Sequence, residues 1–189
     1  MARKKDHSEK GIIDASVDLI AKYNKDSFSV RNVANHLNSS TQPIYSYFKD
    51  SNELYHKTLL EIEGRLINQI NYPYTEFPFR NMGFGFTLFA KENPNLFDAY
   101  FNDLEMNKKF VDKFLKKLRK IMSADVRFVK MSEKGKDTLL ETMWTFCYGY
   151  AFLIIKGVAK DILDEDIKEM VLETGTAIIS HTFKKEGVV

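Results

Sequence analysis

Between Ser29 and Lys49 the chain carries side chains suited to hydrogen bonding with a nucleic-acid duplex. Gln42 offers a primary amide that can pair bidentately with adenine in the major groove, and Thr41 beside it offers a methyl group for thymine. Around them Ser29, Arg31, Ser40, Tyr45, Tyr47 and Lys49 supply hydroxyls and cations of the kind that hold phosphates and set register. Tyr47 suits a second role equally, as a core aromatic whose hydroxyl reaches the surface. Other chemistry has little to work with. The four histidines, His7, His36, His56 and His181, are scattered, and no metal-ligand spacing, glycine-rich phosphate loop or nucleophile motif occurs. No catalytic residue, metal or cofactor is expected, and the chain does not read as an enzyme.

These side chains need a backbone that turns sharply between two helices. Ser29 is a good N-cap, with Phe28 before it and Val33 at the distance of a hydrophobic staple, so a helix is expected from Val30. Val30, Val33, Ala34 and Leu37 then share one face. Asn38 tolerates a left-handed conformation, and Ser39 and Ser40 follow as fresh caps, Ser40 the expected one. Pro43 falls in the first turn of the second helix, 40–48, where its missing N–H would have had no partner. Ile44, Tyr47 and Phe48 form its inward side. One helix ends and another starts within about three residues, which is helix-turn-helix spacing.

The stretch SVRNVANHL followed by TQPIYSYFKDSNELY resembles the N-terminal signature of the TetR family of bacterial transcriptional repressors, an aromatic Tyr-x-(Tyr/His)-Phe run followed by Ser-Lys-x-x-Leu. Here the run is Tyr45-Ser46-Tyr47-Phe48, closed by Leu54. The match covers residues 10–60. Asn38 stands where the family prefers glycine, Ser39 replaces an apolar residue, and Asn52 takes the place of the usual lysine, with Lys49 a substitute for its phosphate contact. The resemblance implies dimerisation through the last two long helices and release from DNA by a small inducer.

Composition bounds the remaining classes. With 44% apolar and 29% charged residues, the chain is an ordinary globular one that can bury a substantial core. Its single cysteine, Cys147, can form no internal disulfide, and a reducing cytoplasm is the natural setting. The charged N-terminus lacks the apolar core of a signal peptide, and the run 142–155 is too short to span a bilayer, so no membrane is expected. Net charge is only +2, and residues 1–55 carry eight Lys or Arg against seven Asp or Glu. Affinity for DNA must therefore come from local contacts. Arg3, Lys4 and Lys5 form a basic arm that either follows the duplex or is a solvated terminus.

The periodicity predicts an all-α chain: an N-terminal three-helix DNA-binding domain with a helix-turn-helix over 1–52, followed by a larger helical ligand-binding and dimerisation domain over 53–189. A first helix over 8–23 braces the motif. A long helix, 50–70, opens with Asp50 and Glu53 as a capping box and connects the two parts. The Pro-punctuated loop 71–78 is the expected internal boundary, and further helices are expected over 79–92, 94–104, 106–121 and 136–159, the last of these after a loop broken by Gly135. A final helix starts at Asp164. Lysines 108, 109, 113, 116, 117 and 120 line one face of the 106–121 helix, which reads as a solvated surface.

The 136–159 helix is apolar nearly all round and must be covered on more than one side. Small residues (Gly149, Gly157, Gly175, Ala177) suit close helix approach, and a homodimeric four-helix bundle is the economical solution. Tyr150, Ile154, Gly157, Val171, Thr174 and Ile178 are the residues expected at that interface. The aromatic richness after Pro78 suggests a pocket for an apolar or aromatic inducer of unknown identity, with Phe86, Phe89, Phe101, Phe110, Phe114, Trp144 and Tyr148 as walls. Glu105 or Glu141 would pair with a cationic ligand. The expected partners are thus a palindromic double-stranded operator, a second copy of the chain and a small molecule. The alternative is a DNA-binding protein whose C-terminal half docks another protein.

Overall fold

A computed structural model describes residues 8–101, 108–159 and 161–188, the side chains of 108–110 excepted. Among the described residues every regular element is helical: α1 Glu9–Tyr23, α2 Val30–His36, α3 Gln42–Tyr45, α4 Ser51–Ile70, α5 Pro78–Glu92, α6 Pro94–Phe101, α7 Lys108–Met122, α8 Glu133–Ile155 and α9 Asp164–Glu186. They form two compact units. One runs to Arg65 and takes in α6; the other takes the chain from Leu66 to Glu92 together with α7, α8 and α9.

The first unit is built on α1. Ser8 caps it, its Oγ accepting from Gly11 N–H at 3.1 Å, and Asn24 at φ 74° ends it. Ile12, Ala15 and Leu19 on its inward face form one core with Val30, Val33, Ala34 and Leu37 of the α2 region, Ile44 and Phe48 around α3, and Leu54 of α4. Arg65 of α4 reaches Asp14 of α1 at 3.4 Å. The sequence assigns 94–104 to the part after the loop, but α6 lies against α1, where Asn95 Nδ2 donates to the Ala21 carbonyl at 2.8 Å. Tyr100 of α6 is buried with its hydroxyl bonded to Glu63 of α4; that burial, with the neighbouring carboxylate, pushes the phenol's pKa well up.

In the second unit α5 is the central helix, lying against α7, α8 and α9. Its residues from Asn81 to Ala90 are all buried. Gly85 is required there, because a Cβ would run into the backbone of Gln69 and Ile70. Asp125 holds the start of α5: its buried carboxylate accepts from Phe79 N–H at 3.2 Å and pairs with Arg127 at 2.6 Å. Lys91 at the other end of α5 pairs with Asp164 at the start of α9.

Helix α8 starts earlier than the sequence suggests. Ser132 is its N-cap, accepting from Gly135 N–H at 2.9 Å, so Gly135 lies inside the first turn and not in a loop. The glycine is there for space, since a Cβ would collide with the Glu186 carboxylate and Met131. At 23 residues α8 is longer than the apolar run 142–155 and is long and apolar enough, by length and composition alone, to cross a membrane, a test that a core helix of a globular protein also passes. Leu139, Leu140, Met143, Cys147, Ala151 and Ile154 face the unit's own core. It ends at Gly157, φ 75°, where Val158 N–H bonds back to the Leu153 carbonyl at 3.1 Å. Gly157 therefore serves the helix terminus.

Candidate functional site

The helix-turn-helix is fixed by local hydrogen bonds. Ser29 Oγ accepts from Asn32 N–H at 3.1 Å, as an N-cap should, and Asn32 Nδ2 in turn donates to the Ser27 carbonyl at 2.7 Å. Helix α2 stops at Asn38, whose φ of 50° is left-handed. Ser39 N–H bonds back to the Ala34 carbonyl at 2.9 Å and Asn38 N–H to the Asn35 carbonyl at 3.0 Å, a Schellman closure made without glycine. The next helix begins one residue later than expected. Thr41, already helical at φ −75°, holds the cap position with no side-chain hydrogen bond, and Ser40 is an exposed loop residue. The regular helix is then only Gln42–Tyr45, although Phe48 N–H still bonds to the Ile44 carbonyl at 3.0 Å.

This arrangement sorts the residues around α3 into two sets. Ile44 and Phe48 are each 1% exposed and anchor the element to α1 and α2. Gln42, Ser46 and Lys49 are exposed, Tyr45 is 55% and Tyr47 49% exposed, and Thr41 is half-buried beside them. Tyr47 thus leaves the core to Phe48, against whose ring it leans with centroids 6.4 Å apart. Arg31 is exposed on α2 and makes no ion pair among the described residues. Ser29 is half-buried, its oxygen engaged by the cap. The basic arm Arg3, Lys4 and Lys5 lies outside the described residues.

At the start of α4 the sequence signal needed refinement. Asp50 Oδ1 accepts from Glu53 N–H at 2.9 Å, but Glu53 Oε2 reaches one residue further back, to Lys49 N–H at 2.7 Å. Two carboxylates therefore occupy the helix terminus that would otherwise attract a phosphate. Lys49 at this corner is an exposed cation, and Asn52 is exposed and neutral.

No family model matches the sequence, and no curated protein does. Solved structures do. A TetR-family transcriptional regulator from Streptomyces coelicolor superposes with TM-score 0.75 at 14% identity, covering 95% of this chain and 83% of that one. A TetR-like transcriptional regulator from Rhodococcus sp. RHA1 gives 0.66 at 12% identity, covering 94% and 99%. A putative TetR-family regulator from Vibrio parahaemolyticus gives 0.58 at 20%, covering 90% and 96%. The chain has the TetR fold.

Within that fold the aromatic residues expected to wall a pocket are divided between the two units. Phe101 belongs to the first unit, where it packs on Phe97 with centroids 4.6 Å apart. The side chain of Phe110 lies outside the described residues. Phe86, Phe89 and Phe114 are buried in the second unit, Phe86 and Phe114 with centroids 6.3 Å apart, and Trp144 and Tyr148 are half-buried neighbours on α8 at 5.5 Å. Of these, Phe86 and Trp144 line a cavity with Ile70, Phe79, Met82, Leu118, Met143 and Cys147; its interior space is about 20 Å³, the room of one water. Burial pushes the Cys147 thiol up to about 12, so it stays neutral. Glu141 is exposed and faces no interior, and Glu105 lies outside the described residues.

Helices α8 and α9 of the TetR fold each keep one face open. Ile154 and Val171 point inward, 8% and 2% exposed, into the unit's own core. Tyr150, Thr174 and Ile178 are half-buried and Gly157 is exposed. Alongside them Phe152, Leu153 and Met170 are 40–46% exposed, and Gly149 and Ala177 are exposed as well. A groove lined by Thr138, Thr142, Ala177, Ile178 and His181 runs between the two helices. Periodicity did not find Phe152 and Leu153 because a helix that is apolar all round carries no phase.

Proposed function

We propose that the protein is a transcriptional regulator, a repressor, that binds a palindromic operator as a homodimer and is released by a small apolar ligand. The observation that carries this reading is the pair of opposite roles around α3: Ile44 and Phe48 fully buried, and Gln42, Tyr45, Tyr47 and Lys49 exposed. Two such elements about a two-fold axis would enter successive major grooves roughly 34 Å apart. Gln42 and Thr41 read base edges, while Arg31, Tyr45, Tyr47, Lys49, Ser40 and the Ser29 hydroxyl hold phosphates. The open apolar face of α8 and α9 supports the second copy, since Phe152, Leu153 and Met170 would leave water on pairing. The cavity in the second unit supports a ligand, and α4, shared by both units, is the element whose displacement would alter the spacing of the recognition elements. A cytoplasmic setting suits a DNA-bound protein with one buried thiol.

Selection of bound sequences from a random duplex pool tests this, followed by salt-dependent binding to the winner. A palindrome and a steep salt slope are expected; no preferred sequence with a shallow slope overturns the proposal. On the selected site Gln42→Ala should cost about 1–3 kcal/mol and relax preference at one position. Lys49→Ala should weaken all duplexes alike and lower the salt slope by about one.

A further inference from the structure

Among the described residues one buried side-chain nitrogen lacks a hydrogen-bond partner, Nε1 of Trp144. The same residue is part of the wall of the second-unit cavity. A buried donor left unpaired is costly, about 1–3 kcal/mol, and native structures keep few of them. The other wall groups offer no acceptor of comparable strength: they are hydrocarbon, aromatic rings, the thioethers of Met82 and Met143, and the Cys147 thiol. A water is a poor answer, because a buried water needs about two to four polar partners, and the wall side chains other than Trp144 add a weak thiol and two thioethers.

We propose that this cavity takes a neutral, mostly apolar molecule bearing one hydrogen-bond acceptor, a ketone, ester or ether oxygen, which pairs with Trp144 Nε1–H. The assignment rests on the effector role given to the second unit above and names the ligand's chemical class. Charge is excluded by the wall, since an ionised carboxylate or ammonium would lose its hydration against groups that offer no countercharge. A pure hydrocarbon is disfavoured because it would leave the indole unpaired. Space comes from Met82 and Met143, unbranched side chains that repack around an occupant larger than the present cavity.

The test uses four probes of similar size on the full-length protein without DNA: acetophenone, ethylbenzene, benzoate and benzylammonium. Trp144 is the single tryptophan of the chain, so nitrogen-15 labelling gives one indole N–H resonance that reports this wall. Acetophenone should move it downfield saturably and bind about tenfold tighter than ethylbenzene, the factor that one net hydrogen bond supplies. Both charged probes should bind weaker still. Trp144→Phe keeps the ring and removes the donor, and should bring acetophenone and ethylbenzene within about twofold. Equal binding of ethylbenzene to the wild type, tighter binding of either charged probe, or no saturable binding at all overturns the proposal. The wild-type comparison decides the matter even if the variant does not fold. Because no DNA is present, failure of the repressor reading in the duplex selection leaves this result untouched.

Discussion

Asn38 is the residue at which the helix-turn-helix can be tested most directly. At φ 50° it sits where an L-residue with an ordinary side chain is disfavoured by about 1–2 kcal/mol, asparagine less so because its short amide bonds locally. The turn it closes satisfies the carbonyls of Ala34 and Asn35, which would otherwise be left open at the end of α2. Asn38→Ala keeps the backbone N–H groups and loses that tolerance, so it should destabilise the first unit by about 1 kcal/mol. Asn38→Gly removes the steric cost but enlarges the unfolded ensemble, and should stay within about 0.5 kcal/mol of the wild type. The measurement is native-state hydrogen exchange at the buried amides of α1 and α2, which reads the first unit by itself where a single melting curve would average both units. In a thermal melt a change of this size would appear as a shift of about 2–4 °C. The ordering Gly ≥ Asn > Ala is the content of the prediction. An alanine variant as stable as the glycine one would mean that the left-handed turn is not what ends α2, and the account of how α3 is placed would fail.

The open face of α8 and α9 predicts that Leu153→Asp abolishes self-association in sedimentation while leaving the helical signal of the chain intact; unfolding, or an unchanged dimer, would show that this face has another role. Asp125 predicts a pH dependence. Burial alone would raise its pKa, but the hydrogen bonds from Arg127 and from Phe79 N–H outweigh that and hold the carboxyl below its ordinary 3.8. The stabilisation is therefore present above about pH 4 and disappears as pH falls through the folded-state value. Asp125→Asn should be less stable than the wild type at neutral pH, and the two denaturation midpoints should converge in acid. Gly85→Ala should destabilise the second unit by more than about 2 kcal/mol in urea denaturation, since a Cβ meets backbone that no rotamer change can move.

Much of the first unit was legible because its signals are local. Ser29 and Asp50 cap the helices they were expected to cap, and Asn38 ends the helix it was expected to end. The misses share a physical cause, which is dependence on neighbours distant in sequence. Gly135 looks like a loop breaker until Glu186 and Met131 are seen against it, and α6 follows a loop yet lies on α1. Ser40 is the better capping residue by type, but the backbone is already helical at Thr41. The phase of α8 was hidden for the opposite reason. With apolar residues all round, Ile154 and Phe152 look alike in sequence, and only the packing of α5 and α9 makes one buried and the other open. Aromatic content marks burial without saying in which core, and so the sequence did not separate Phe101 of the first unit from Phe86, Phe89 and Phe114 of the second.

A helix as short as α3 has almost no stability of its own, since nucleating a turn costs more than four residues can return. Its shape is held from behind, by Ile44 and Phe48 in the shared core and by the bonds that close the turn before it. The outward positions 42 and 45 are thereby relieved of any duty in folding. Substitutions there should change stability by no more than about 0.5 kcal/mol while altering what the surface touches. In evolutionary terms the element is a mount with exchangeable fittings: a change at Gln42 or Tyr45 alters what the outward surface offers, without the compensating mutations that a change at Phe48 would demand.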